Sequence, residues 1–184
     1  MTVDIRRDQV AYGRAVQTWD VIISRRNVRT YTDRPIAAED LDRILEAARR
    51  TPSSHNSQPW DFVLVTDHDT LCQLSHVWKG AGHIACSAAT IALVAPVEEA
   101  ERERIEYDLG QATMAIALAA ADLGIGSGHS SVGDQDLARK ILGLPDDRRL
   151  AYMIGLGYPA DRPLKPIKKP NRRPFDEVVH REHW

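Results

Sequence analysis

Residues 52–60 read Pro52-Ser53-Ser54-His55-Asn56-Ser57-Gln58-Pro59-Trp60. The stretch lies between a predicted helix, residues 35–50, and a predicted strand, residues 61–66. A helix-to-strand junction ordinarily needs only about two to six residues. This one carries Ser53, Ser54, His55, Asn56, Ser57 and Gln58, all able to donate or accept hydrogen bonds. Pro52 and Pro59 stiffen it, and Pro59 biases Gln58 toward an extended backbone. A stiff loop lined with amide and hydroxyl groups suits recognition of a flat, polar heteroaromatic ring. The same residues also suit a capped turn.

Working outward, the preceding helix repeats Leu41, Ile44, Leu45 and Ala48 at helical spacing, so one stripe is buried, with Glu39, Asp40, Asp42 and Arg43 on the wet side. Phe62-Val63-Leu64-Val65 is a short apolar run rich in β-formers and reads as a central strand. Residues 89–94 read as a second central strand ending at Pro96, and residues 149–156 as another, followed by Gly157-Tyr158-Pro159. Asp67-His68-Asp69 reads as a turn, residues 70–78 as a helix with Leu71, Leu74 and Trp78 on one side, and residues 97–104 as a charged connector. His68 and His76 have no partners at metal-ligand spacing and read as surface or cap residues.

Residues 105–123 give the strongest helix. Between Ala112 and Ala121 only Thr113 is polar, so this helix has no wet face and belongs deep in a core or in a subunit interface. In a chain of 184 residues that argues for a dimer. Leu123-Gly124-Ile125-Gly126-Ser127-Gly128 ends the helix. It is not a dinucleotide fingerprint, which follows a strand and opens a helix; a glycine helix stop accounts for it. His129-Ser130-Ser131 then read as polar residues in a loop that can approach a ligand closely. Asp134 caps a helix over residues 135–142, which Gly143 closes.

Upstream, residues 1–18 read as an arm or frayed helix and residues 19–24 as a helix with Trp19, Ile22 and Ile23 on one side. Arg25-Arg26-Asn27-Val28-Arg29-Thr30-Tyr31 follows. Arg25 and Arg29 point the same way in a helical turn, and guanidinium forks match phosphate oxygens. A solvated basic face at a helix C-terminus is the plainer reading of the same residues. At the other end, Pro163, Pro166, Pro170 and Pro174 forbid a regular helix. The basic stretch they interrupt is a solvated tail or a strap around a partner subunit.

Length and composition indicate a single domain, residues 1–184, with formal net charge −2 and no bias toward nucleic acid. The longest apolar run, residues 115–121, is too short to cross a bilayer, so no membrane partner is expected. Cys72 and Cys86 have neither metal-ligand spacing nor the density of a secreted scaffold. With no signal peptide in the polar N-terminus, they read as reduced, buried thiols of a cytoplasmic protein.

Taken together, the motifs resemble the FMN-dependent nitroreductases. The family's Arg-Arg-Ser-x-Arg-x-Phe is matched by residues 25–31, with Asn27 in place of serine. Its Pro-Ser-x-x-Asn-x-Gln-Pro-Trp is matched by residues 52–60. Its helix pattern appears as Asp108-Leu109-Gly110-Gln111-Ala112, then Leu118-Ala119-Ala120, then Leu123-Gly124-Ile125-Gly126. Gly157-Tyr158-Pro159 and Arg172-Arg173-Pro174 complete the series.

The resemblance implies an α+β fold, a mixed central β-sheet flanked by helices, and an intertwined homodimer with FMN at the subunit interface. Residues 161–184 would wrap the partner. It implies that Arg25, Arg26, Asn27 and Arg29 hold the phosphate and ring edge, with Arg172 or Arg173 completing the phosphate site. Pro52, Ser53, Ser54, Asn56 and Gln58 would meet the flavin from the other subunit. His129, Ser130 and Ser131 would lie near its reactive edge. The implied chemistry belongs to the flavin: hydride passes from NADH or NADPH to a small-molecule oxidant, nitroaromatic or quinone-like, by a ping-pong mechanism. No catalytic side chain and no metal are needed. Flavin breakdown to a benzimidazole, reductive dehalogenation, or FMN binding without turnover are the alternatives.

Overall fold

The computed structural model describes residues 18–184; the expected N-terminal arm lies outside them apart from Thr18. The elements are α1 (Thr18–Ser24), α2 (Ala38–Arg49), β1 (Asp61–Val65), α3 (His68–Leu74), β2 (Ala89–Pro96), α4 (Arg102–Asp122), β3 (Gly126–Ser130), α5 (Gln135–Leu142) and β4 (Arg148–Gly157), with short 3₁₀ turns at Ser54–Asn56, Gly82–Cys86 and Phe175–Glu177.

The α+β class expected from the sequence is what the chain forms, but the sheet is not mixed. Its strands run in the order β1-β2-β4-β3 and every adjacent pair is antiparallel. The reason lies in one connection. A helical crossover such as α4 leaves β2 and β3 pointing the same way, and β4 inserts between them, so two antiparallel pairs replace a parallel one. Among the described residues, the parallel component is an isolated bridge between Asn27 and Ser127.

β2 is buried on both faces, which explains its unbroken apolar run. Ile91, Leu93 and Ala95 pack in one core with Leu41, Ile44 and Ala48 of α2 and Ile105, Leu109, Ala112 and Ile116 of α4. Ala92 and Val94 face the other way, into a second core with Leu71 and Leu74 of α3, Ala138 of α5 and Met153 of β4. Each fully buried Leu or Ile contributes about 1.5–3 kcal/mol, so these two layers hold the sheet on which the site is built.

Boundaries shift where capping decides them. Asp67 is the N-cap of α3, accepting from the Thr70 N–H at 2.9 Å and the Thr70 hydroxyl at 2.6 Å, so His68 and Asp69 are helical rather than part of a turn. The Asp134 cap and the left-handed Gly143 stop bracket α5 as the sequence indicates. α4 starts at Arg102, inside the stretch read as a connector. Nor is α4 buried all round within the chain: Tyr107 is 70% exposed and Met114 46%. The thiols depart too. Cys72 is half-buried, but Cys86 is exposed, because the 3₁₀ turn it ends buries His83 and Ile84 instead. Among the described residues, no helix is long and apolar enough to cross a membrane.

Candidate functional site

Beyond α1 the chain leaves the helix and lies along β3. The Val28 N–H donates to the Ser127 carbonyl at 2.9 Å, and Asn27 bridges Ser127. Glycine makes this approach possible. A Cβ on Gly126 would sit 2.7 Å from the Val28 side chain, and one on Gly128 2.3 Å from the Val28 carbonyl oxygen. The Leu123–Gly128 cluster therefore does two jobs. Gly124, at φ +74°, stops the helix; Gly126 and Gly128 are strand residues that let a second backbone come close. Tyr31 fixes the far end of the segment, its hydroxyl 2.8 Å from the Val28 carbonyl and 3.1 Å from that of Gly155. Burial pushes its phenol well above the ordinary range, against the opposing effect of Arg29.

The loop expected at His129-Ser130-Ser131 is thus mostly strand, and strand alternation sorts the residues of β3. Ser127 and His129 point into a cavity of about 230 Å³ that is also lined by Arg25, Asn27, Thr113 and Met114. Ser130 is buried, its hydroxyl donating to the Ser131 carbonyl at 3.0 Å, and neither serine lines that cavity. A neighbouring cavity of about 210 Å³ is lined by Asn27, Arg29, Thr30, Asp161 and Arg162. Arg162 was not singled out in the sequence. It reaches Arg29 because the chain after β4 pairs back on this segment, with Thr32 N–H donating to Tyr158 and Ala160 N–H to Thr30.

The other expected site arginines lie elsewhere. Arg26 donates to the Lys165 carbonyl at 2.7 Å, and Ile167 N–H to the Ile23 carbonyl, so Arg26 ties the start of the tail to the end of α1. Arg172 donates to the Asn171 carbonyl and Arg173 to the Glu177 carbonyl at 3.0 Å; neither lines the two cavities above.

The loop over residues 52–58 is strained. His55 and Asn56 have φ of 54° and Gln58 of 47°, in the left-handed region that non-glycine residues rarely enter. Gln58 is therefore not extended. Proline restricts the right-handed helical region of the residue before it, and here local hydrogen bonds select the left-handed one: Gln58 N–H donates to Ser53 Oγ at 2.9 Å and Trp60 N–H to the Gln58 carbonyl at 2.8 Å. Two α4 residues anchor the loop. Arg104 donates to Ser57 Oγ at 2.9 Å. Asp108, fully buried, accepts from the Ser54 N–H at 3.1 Å and the Ser54 hydroxyl at 3.3 Å. A signal for Asp108 was present: it is an acid on the buried stripe of Ile105, Leu109 and Ala112. Pro52, Ser53, Ser54, Asn56 and Gln58 do not line the cavity beside Arg25; α4 stands between the two groups, carrying the loop at Asp108 and the cavity at Thr113 and Met114.

The Nitroreductase family model matches residues 22–79 and 73–158, nearly the whole span from α1 through β4. The chain belongs to the nitroreductase family. A protein of Archaeoglobus fulgidus, named as a candidate NADH dehydrogenase/NAD(P)H nitroreductase, is 33% identical over 89% of this chain and 97% of its own length. The FMN reductase [NAD(P)H] of Bacillus subtilis is 25% identical over 89% of this chain and 72% of its own. A solved structure from Clostridium acetobutylicum, described as a candidate NADH oxidase, superposes with a TM-score of 0.81 at 26% identity, covering 90% of this chain and all of that one. These likenesses confirm the nitroreductase fold.

His83 packs against β3 at Gly128. Its Nε2 lies 3.0 Å from the Gly128 carbonyl, so Nε2 carries the proton. Nδ1 is buried and has no hydrogen-bond partner among the described residues. Desolvation holds the imidazole below its ordinary value against the hydrogen bond to Gly128, and the charges of Arg29 and His129 push it the same way as desolvation. The unfolded chain therefore takes up this proton first as pH falls. The stability conferred by neutral His83 is complete above about pH 6.5 and is lost as pH drops through that value toward the depressed folded one. Thermal melts at about pH 7.5 and about pH 5.5 should show a larger loss for the wild type than for His83→Asn; equal losses would remove His83 from the pH response.

Proposed function

We propose that this chain is an FMN-dependent NAD(P)H oxidoreductase that reduces a small organic oxidant, nitroaromatic or quinone-like. The observation that carries the reading is the placing of Arg25 and Asn27 against Ser127 and His129 around one cavity, with Arg29 and Arg162 around the next. These residues fit FMN. Guanidinium forks suit its phosphate, the Asn27 amide and Ser127 hydroxyl suit the polar edge of its ring, and the glycines of β3 keep the cradle open. FMN, when bound, would supply the redox chemistry that links oxidation of NADH or NADPH to reduction of the oxidant.

Every other role falls to the chain. Arg25 and Arg29 hold the phosphate and supply a positive field. Arg162 is assigned beside them ahead of Arg172 and Arg173, whose side chains are engaged with Asn171 and Glu177. Arg26 supports the segment through Lys165. His129, exposed and on the cavity wall, shapes the substrate side. No side chain is assigned a proton-transfer or nucleophilic role.

Purified protein should be yellow and release a compound with the mass of FMN. NAD(P)H and the oxidant then share one pocket in turn, since the chain carries no second nucleotide fingerprint. Steady-state double-reciprocal plots should give parallel lines; intersecting lines would show a ternary complex and overturn the shared pocket. A bound flavin that neither nicotinamide reduces would overturn the oxidoreductase reading.

The site is proposed to need two chains. Within one chain the loop over residues 52–58 does not reach the cavity, and α1 and α4 present Trp19, Ile22, Tyr107 and Met114 to the outside. The tail likewise exposes Phe175, Val178 and Val179. A partner's loop would complete each cavity, and the two tails would embrace. Sedimentation should show a dimer, and truncation before Lys165 should lose both dimer and flavin. An active, flavin-loaded monomer would refute this arrangement.

A further inference from the structure

We infer that Asp108 is a positioning residue that holds the loop over residues 52–58 in its left-handed conformation and thereby sets the protein's affinity for FMN. The flavin half of this inference rests on the proposed function; the conformational half does not. The side chain has no exposure, and among the described residues its hydrogen-bond donors are all uncharged: the Ser54 N–H, the Ser54 hydroxyl and, at 3.4 Å, the Gln111 amide. Burying a carboxylate without a cation is costly, so its place on α4 calls for a return. What it gains is the loop.

Three residues within four positions, His55, Asn56 and Gln58, occupy the left-handed region. Such residues persist only where the surroundings over-determine them. Ser54 is the first residue of the turn that leads into them, and Asp108 grips both its N–H and its hydroxyl. The next turn of α4 carries Thr113 and Met114 on the wall of the Arg25 cavity. One helix thus registers the loop to its own chain's cavity wall on the opposite side. In a dimer it would hold ready the loop that reaches the partner.

Asp108→Asn is the informative change because it keeps the shape. Both carboxylate oxygens lie against the Ser54 N–H, at 3.2 and 3.1 Å. Whichever way the new amide turns, its NH₂ opposes a donor. Hydrogen exchange on the apoprotein should show the backbone amides of residues 54–58 exchanging at least tenfold faster in Asp108→Asn, and FMN titration should show Kd raised at least tenfold. Ile116→Val, a cavity variant of the same helix away from the loop, sets what simple destabilisation does to both. If Kd and exchange in Asp108→Asn follow its Tm along the line set by Ile116→Val, Asp108 is merely structural and the inference fails. Should Asp108→Asn not fold, Ser54→Ala removes one of the two gripped donors and should accelerate exchange at residues 56–58; unchanged exchange there overturns the inference. A wild-type chain that binds no FMN overturns the proposed function and the affinity half with it, while exchange in the apoprotein still decides the conformational half.

Discussion

Gly128→Ala is expected to destabilise the protein by about 3 kcal/mol or more, the top of the overpacking range, and to abolish FMN binding. The added methyl would lie 2.3 Å from the Val28 carbonyl oxygen, with the Tyr31 hydroxyl at 3.1 Å and Arg29 Cγ at 3.2 Å. A flexible side chain can turn away from such a contact; a backbone carbonyl held in place cannot. Val28 is held by its N–H bond to Ser127, and its carbonyl accepts from Tyr31, so the segment must leave β3 as a unit. Arg25, Asn27 and Arg29 would leave with it. Urea denaturation gives the stability and flavin titration the binding. Gly82→Ala is the control, since a Cβ there meets nothing within 4 Å. Equal stability of the two variants would mean that the segment does not lie where the structure puts it.

That glycine shows what the sequence could and could not convey. Its cluster was legible as a helix stop because Gly124 obeys a local rule, a left-handed residue after the last helical turn. The need for glycine at Gly126 and Gly128 comes from Val28, about a hundred residues earlier in the chain, and no local pattern records it. The apolar stripes of α2 and the runs of β1 and β2 were legible for the converse reason: burial imposes its period on neighbouring residues. Gln58 went the wrong way because the proline rule excludes one region without choosing between the others, and a Ser53 hydroxyl made the choice. The antiparallel sheet was hidden because strand direction depends on where β4 inserts. Arg25 and Asn27, identified by motif, and His129, identified by its place after the glycine cluster, do share a cavity. Arg162 was missed because its place comes from pairing after β4, whereas Arg172 and Arg173, picked by motif, lie on the exposed tail.

Arg29→Ala is expected to weaken FMN binding by about 1.5–3 kcal/mol, the worth of hydrogen bonds to a charged group. Arg29 follows Val28, the residue pinned to β3, so its backbone position is fixed while its exposed side chain lines the cavity shared with Asn27 and Arg162. Among the described residues, its guanidinium makes no hydrogen bond or salt bridge, in contrast to Arg26 and Arg173. Removing it should therefore cost little fold stability at neutral pH, and the loss there should appear in the flavin titration. Arg29→Lys separates charge from shape: it keeps the charge but not the fork, so its affinity should fall between wild type and Arg29→Ala. Raising salt should narrow the gap between wild type and Arg29→Ala, because the site is open to solvent. The variant also reports through a second channel. Arg29 helps to keep the His83 proton off, so without it the folded value should rise toward the ordinary one, and the stability lost as pH falls below about 6.5 should shrink. A variant that binds FMN as tightly as wild type while showing that pH change would place Arg29 beside His83 and away from the phosphate.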